Sequence, residues 1–209
     1  MINAQGPTGY FVELEPAWWP LGDGTDPAEG IADALVETLA PEVEGPARTA
    51  LHANLAIFAE WSQTLAPGER RSFALVRQPK LGRVDALLSW RYSRVADGVY
   101  DQYLELARNQ KSTETVELVN QRVLEYTVPA GRAIAIHDVL LIRDGGLIQP
   151  ARERCTVALF IDAEPVLVEL HLATMDLSLF DDIVEYSIAL ISGENPGVPG
   201  LLEYHGEQL

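Results

Sequence analysis

Two features common in other protein classes are nearly absent from this 209-residue sequence. It holds one cysteine, Cys155, and no apolar run approaching the roughly 18 residues that a membrane-spanning helix needs. A single cysteine excludes an intramolecular disulfide, and its place in an alternating apolar run predicts a strand interior. We therefore expect a reducing, cytoplasmic location and no membrane span.

The motifs of several enzyme classes are missing as well. The sequence has no Gly-x-Gly-x-x-Gly, no P-loop, no His-Glu-x-x-His, no Gly-x-Ser-x-Gly and no paired cysteines. One cysteine and four histidines offer few soft ligands to a transition metal. We expect no cofactor and no metal, and the sequence leans against an enzyme without excluding one.

The formal net charge of −16 argues against nucleic acid and anionic membrane as partners. Basic residues are concentrated between Arg70 and Arg94, which holds seven of the fifteen. In one interpretation this predicted hairpin binds an anionic ligand through Arg77 and Arg91. In the other, its arginines compensate the acidic remainder of the chain. The preference for arginine over lysine indicates a GC-rich genome and hence a bacterial source.

Three strands and a helix dominate the C-terminal half. Alternating apolar residues predict strands at Arg132–Ile142, Arg154–Ile161 and Val166–Thr174, the last two joined as an antiparallel hairpin. A helix follows, with Phe180–Ile191 carrying an apolar stripe. Ser178 and Asp181 are spaced as a capping box at its start.

The remaining pattern predicts two N-terminal helices, a short helix around Tyr100–Ala107 and a strand at about Thr115–Tyr126. The expected fold is α+β: a twisted antiparallel sheet of about six or seven strands sandwiched between the C-terminal helix and the N-terminal helices. One domain is expected over residues 1–193, followed by a Pro/Gly-rich tail at 194–209.

One polar cluster could carry chemistry. If the hairpin closes at its short turn, His171 lies opposite Thr156, with Glu169 two residues along, and Asp138 of the preceding strand can join them. Such a group could transfer protons or bind a metal, as in a small-molecule hydrolase. The alternative is a polar cluster at the second interface of the sheet.

Near the N-terminus, Trp18 and Trp19 lie between two prolines. They could form an exposed aromatic platform that binds a ligand or a protein. They could instead pack at the edge of the core where the first strand ends.

Two stretches resemble the PsbP-like superfamily, which includes photosystem accessory proteins, a nuclear-import accessory protein and bacterial lipoproteins. Tyr10–Trp18 is similar to its opening strand, which ends in proline and tryptophan, and Phe180–Ile188 is similar to its closing helix. The resemblance implies an antiparallel sheet between helical layers, and an accessory, non-enzymatic role. Two long helices between Pro27 and Leu65 depart from the family pattern.

Taken together, these patterns favour a non-catalytic accessory protein that binds another protein. The alternatives are the enzyme using the His171 cluster and the anionic-ligand binder using the Arg70–Arg94 hairpin. The sequence leaves the oligomeric state open, and an unpaired edge strand would allow a homodimer.

Overall fold

The computed structural model describes residues 10–12, 14–22, 26–64, 70–96, 98–144, 147–148, 150–192 and 201–203. The elements are, in chain order, β1 (Tyr10–Val12), β2 (Trp18–Gly22), α1 (Ala28–Leu39), α2 (Gly45–Thr64), β3 (Arg70–Leu75), a 3₁₀ turn (Pro79–Leu81), β4 (Ala86–Arg94), α3 (Val99–Arg108), β5 (Val116–Val128), β6 (Gly131–Asp144), β7 (Leu147–Ile148), β8 (Arg152–Ile161), β9 (Val166–Thr174), α4 (Ile183–Ser192) and β10 (Leu201–Glu203).

The chain divides into two compact units, and the first is Pro16–Arg91. Here β2 pairs with β3 and β3 with β4, both antiparallel. The apolar stripes of α1 and α2 bury Val36, Leu55 and Phe58 against this ladder. Gly82 sits at φ 67° where a Cβ would lie 2.7 Å from a helix carbonyl oxygen, so glycine lets the 3₁₀ turn close on α2.

The second unit contains the described residues from Tyr92 onward, together with β1. Its main ladder runs β5–β6–β8–β9, every neighbour antiparallel. Strand β7 pairs with the end of β6, and β1 pairs with β10. Apart from β10, the predicted tail at 194–209 lies outside the described residues, and the single domain over 1–193 stays a prediction.

Helices cover both faces of this ladder. Tyr100 and Leu104 of α3 pack on Ile134, Ala158 and Phe160, which point to one side of their strands. The alternate positions, such as Val157 and Leu170, are also fully buried, and α4 packs against β8 and β9. Strands buried on both faces explain why β6 and β8 read as nearly continuous apolar runs.

Helix α4 begins later than its predicted cap. Asp182 Oδ1 accepts hydrogen bonds from the amides of Val184 and Glu185 at 2.8 and 3.1 Å, which makes Asp182 the N-cap. Ser178 instead donates to Asp176 in the preceding turn, so the predicted box of Ser178 and Asp181 is wrong. The Ser178 hydroxyl thus bonds to a neighbouring acidic side chain and not to the helix amides, a local alternative that short polar side chains often adopt.

The α+β prediction is confirmed. The two units contribute three and four antiparallel strands to their ladders, and the C-terminal helix is present. None of the helices in the described ranges is long and apolar enough to cross a membrane.

Candidate functional site

The predicted hairpin register is confirmed. His171 lies opposite Thr156, and Thr156 Oγ1 is 3.0 Å from His171 Nδ1. Glu169 lies opposite Ala158 on the same face, where its Oε1 accepts a 2.9 Å hydrogen bond from the Tyr103 hydroxyl of α3. Thr156 and His171 are partly exposed.

Asp138 shares this face but is held by a different partner. It lies opposite Arg154, whose guanidinium contacts both carboxylate oxygens, with Nε 2.9 Å from Oδ1. The Asp138 side chain is fully buried, so Arg154 compensates a charge that has no access to water. The four predicted residues therefore share one face, where Asp138 contacts Arg154 and Glu169 contacts Tyr103.

Metal binding finds no support in the part of the chain that the structure describes. No group of three or more histidine, cysteine, aspartate or glutamate side chains there could hold a metal ion. Cys155 is buried, and that burial raises the pKa of its thiol to about 12, so the thiol is not a ready thiolate ligand or nucleophile.

The opposite face holds a polar group that the sequence did not predict. His137 Nδ1 lies 3.3 and 3.0 Å from Nε and Nη2 of Arg122, and His137 Nε2 lies 2.8 Å from Glu153 Oε1. Because a guanidinium can only donate, Nδ1 accepts, which places the ring proton on Nε2 facing Glu153. His137 and Glu153 are largely buried, so this network fastens β5, β6 and β8 together.

A sequence signal for these contacts exists in retrospect. His137 and Asp138 are consecutive polar residues in an apolar strand and point to opposite faces. Glu153 and Arg154 are consecutive in the next strand and meet them there, one on each face. These two contacts can be predicted only when the register of β6 against β8 is known.

The interpretation of Trp18 and Trp19 as an exposed platform is wrong. Their residues are 2% and 6% exposed, and Trp19 belongs to the core of the first unit with Leu21 and Leu35. Large aromatic side chains at a strand end gain more from burial than from contact with water.

Arg77 and Arg91 do not line a common site. The Arg77 amide bonds to Asp85 at one end of the β3–β4 hairpin, whereas Arg91 lies opposite Arg70 at the other end. Six residues of β4 separate the two ends, roughly 20 Å of extended strand. Arg83 pairs at 2.8 Å with buried Asp85, so part of the basic segment compensates charge within the hairpin.

Strand β5 forms the edge of the second unit's ladder, and its two halves differ in the hydrogen bonds made by their outward backbone groups. In Val116–Val119, the capped half, the amides of Val116 and Leu118 donate hydrogen bonds to Thr113 Oγ1 and Ser112 Oγ at 3.1 and 2.9 Å. These amides point away from β6, and neighbouring loop side chains satisfy them.

A bulge separates the capped half from the rest of the strand. The register shifts between Val119 and Arg122, and Asn120 has a positive φ of 53°. One extra residue reverses which positions face β6. In Arg122–Val128, the open half, the even-numbered residues bond to β6 and the odd-numbered backbone groups point outward.

The outward groups of the open half have no backbone partner in the part of the chain that the structure describes. The N–H and C=O groups of Val123, Glu125 and Thr127 make no backbone hydrogen bond within the described ranges. The Glu125 side chain is held firmly nonetheless, since it accepts from the Tyr100 hydroxyl at 3.0 Å and from Arg108 at 2.6 Å. Among the described residues, the open half is therefore a strand with one row of backbone groups that no other strand pairs.

Comparison with known proteins adds little. No protein-family model and no curated protein matches the chain. Among solved structures, LpqN, involved in cell envelope biogenesis of Mycobacterium tuberculosis, is similar with a TM-score of 0.41 and 10% identity, over 92% of this chain and 86% of that chain. A likeness at this level supports no inference about function. The PsbP-like resemblance stays a prediction.

Proposed function

We propose that this chain is a non-catalytic accessory protein that works by binding another protein, and that the partner adds a strand to the open half of β5. The supporting observation is the row of outward backbone groups at Val123, Glu125 and Thr127. Strand addition satisfies such groups by main-chain hydrogen bonds and uses flanking side chains for selectivity. A PsbP-like ancestry, a bacterial source and a cytoplasmic location accompany this proposal as predictions.

The side chains of the open half suit a protein partner. Val123, Leu124 and Tyr126 are half-buried, so each keeps apolar area that an added strand would remove from water. Arg122 and Glu125 give the segment a balanced charge in a chain whose formal net charge is −16. A partner therefore meets less repulsion here than the overall charge implies.

The test is affinity capture from a lysate of the source organism with three tagged chains: wild type, Glu125→Pro and Glu125→Ala. Proline removes the outward N–H, while the ladder bonds to β6 run through the even-numbered residues and remain. The alanine variant is the matched control, since it loses the same carboxylate contacts to Tyr100 and Arg108 but keeps the amide.

We expect a stoichiometric protein, which can be a further copy of this chain, to be retained by wild type and Glu125→Ala and lost with Glu125→Pro. Equal recovery with the proline and alanine variants contradicts the proposal, and so does a wild-type chain that captures no stoichiometric protein and also stays monomeric at high concentration. Circular dichroism and thermal unfolding of both variants establish that the ladder has formed.

A second candidate is hydrolysis by the Thr156–His171 pair, supported by their 3.0 Å contact. A hydroxyl within hydrogen-bond reach of an imidazole nitrogen is the arrangement of a nucleophile and its general base. Activity against a panel of activated esters should fall by about 100-fold or more in Thr156→Val, since general-base assistance contributes at least that much. Equal rates for wild type and Thr156→Val would exclude this candidate.

A further inference from the structure

We infer that the strand added to β5 is the open half of β5 from a second copy of this chain, antiparallel about a two-fold axis at Leu124. This inference rests on the proposed function and names its partner. A two-fold axis makes the interface self-complementary, so the segment must match its own reversed copy.

The outward backbone groups restrict where the axis can lie. An antiparallel pair forms only where outward residues oppose outward residues. An axis at Glu125 sets two carboxylates directly opposite each other, which is unfavourable. An axis at Tyr126 brings Val123 against Pro129, which has no N–H and lies beyond the end of β5.

An axis at Leu124 avoids both problems. It places Val123 of each copy opposite Glu125 of the other copy. Each of these two pairs forms two N–H···O=C hydrogen bonds, so the dimer gains four. Between them, Leu124 meets Leu124 of the second copy at the close spacing of a non-hydrogen-bonded pair.

The side chains beside the axis are complementary. Arg122 and Tyr126 lie on the same face as Leu124, and the two-fold axis places each Arg122 opposite Tyr126 of the other copy. Arginine beside an aromatic ring is a favourable cross-strand neighbour. The Arg122 guanidinium is already fixed by His137, so little side-chain freedom remains to be lost on association.

The same geometry limits the strength of the dimer. Two segments of seven residues bury less than the surface of a standard protein interface, and we expect a dissociation constant on the order of 10–100 µM. The bulge at Asn120 and the loop over the capped half prevent the pairing from extending toward Val116.

Sedimentation velocity of the full chain from 1 to 200 µM tests the inference. The expected result for wild type and Glu125→Ala is a shift from 23.0 kDa toward twice that mass as concentration rises. Glu125→Pro should weaken the dimer at least tenfold. Leu124→Lys should do the same by opposing two charges at the axis, with Gln102→Lys, at an exposed position of α3, as its charge-matched control.

Two results overturn the inference: a wild-type mass of 23.0 kDa at every concentration, or a dimer unaffected by both Glu125→Pro and Leu124→Lys. Its failure can be separated from that of the proposed function. If the chain is monomeric but still captures a different protein, and Glu125→Pro abolishes that capture, then the second copy is excluded as the partner and strand addition is supported. A monomeric chain that captures nothing removes both.

Discussion

The two halves of β5 belong to one strand and pair with the same neighbour, yet within the described ranges side chains bond to the outward amides of only one half. In the capped half, Ser112 and Thr113 supply hydroxyl oxygens to the outward amides. In the open half, the corresponding groups of Val123 and Glu125 have no backbone partner in the described residues. The difference shows that protection of a sheet edge can be local, set by a few loop side chains, and that its absence marks a candidate interface.

The largest effect should come from the hairpin that positions the open half. Gly131 lies opposite Val128 and has a backbone φ of 153°. A Cβ added to Gly131 would collide with the Phe160 carbonyl oxygen. Gly131→Ala should lower the free energy of unfolding by roughly 3 kcal/mol or more, because backbone must move. Chemical denaturation measures this loss.

A matched control for the glycine substitution is Gly30→Ala. Gly30 lies in α1, and a Cβ added there would meet nothing within 4 Å, so alanine should stabilise the chain by up to about 1 kcal/mol. Equal stability of Gly131→Ala and wild type would contradict the tight packing at the end of the hairpin.

The next largest difference is expected between the charged side-chain contacts that join each half of β5 to β6. His137→Leu removes the acceptor of Arg122 and leaves the largely buried Glu153 without its donor, at a cost of about 2 kcal/mol. Beneath the capped half, the Arg143–Glu117 pair is about half exposed, and Arg143→Met should cost under about 1 kcal/mol. Urea denaturation of the two variants gives the comparison, and a reversed order would contradict it.

Removing the Ser112 and Thr113 hydroxyls should leave the outward amides of the capped half as exposed to exchange as those of the open half. Ser112→Ala combined with Thr113→Val takes the hydroxyl acceptors from the Val116 and Leu118 amides, at a cost of about 1 kcal/mol for each bond. Amide exchange at these two positions should accelerate in the double variant. Thr127→Ala in the open half removes a hydroxyl from an exposed residue and serves as the control. Unchanged exchange would show that the hydroxyls do not protect the edge.

The smallest effect is the pH dependence of Tyr100, which bonds Glu125 of the open half. Burial first, and the hydrogen bond to Glu125 second, raise the pKa of Tyr100 above its ordinary value of 10.0. The folded chain therefore keeps this proton when the unfolded chain releases it. The stability contributed is complete below pH 10.0 and is lost as pH rises through the folded-state pKa.

Tyr100→Phe removes the ionisable group and should make the alkaline decline in stability shallower, while costing about 1 kcal/mol or less at neutral pH. Urea denaturation of both chains at about pH 8 and above pH 10.0 measures the difference. Equal declines would show that Tyr100 ionises alike in the folded and unfolded chain.

The predictable part of this molecule is the part governed by short-range pattern. Period-2 alternation and a four-residue turn were enough to place His171 opposite Thr156, because a short turn leaves little freedom of register. The apolar stripe of α4 was equally clear, although Asp182 rather than Ser178 caps it. Local competition between caps is a difference of about a few tenths of a kcal/mol, below what pattern resolves.

Contacts between distant segments were not predictable. The His137–Glu153 contact depends on the register of β6 against β8, and the burial of Trp18 and Trp19 depends on the packing around β2. The separation of Arg77 from Arg91 follows from the length of a hairpin that the sequence delimited only approximately. The open half of β5 also needed the structure, since one bulge residue decides which amides point outward.

Amide hydrogen exchange of β5, measured residue by residue at low and high concentration of the wild-type chain, shows whether the open half pairs with a second copy. We expect the Val123 and Glu125 amides to exchange more slowly at high concentration, and those of Val116 and Leu118 to exchange at the same rate at both concentrations. Exchange at Val123 and Glu125 that is independent of concentration would contradict pairing of the open half with a second copy.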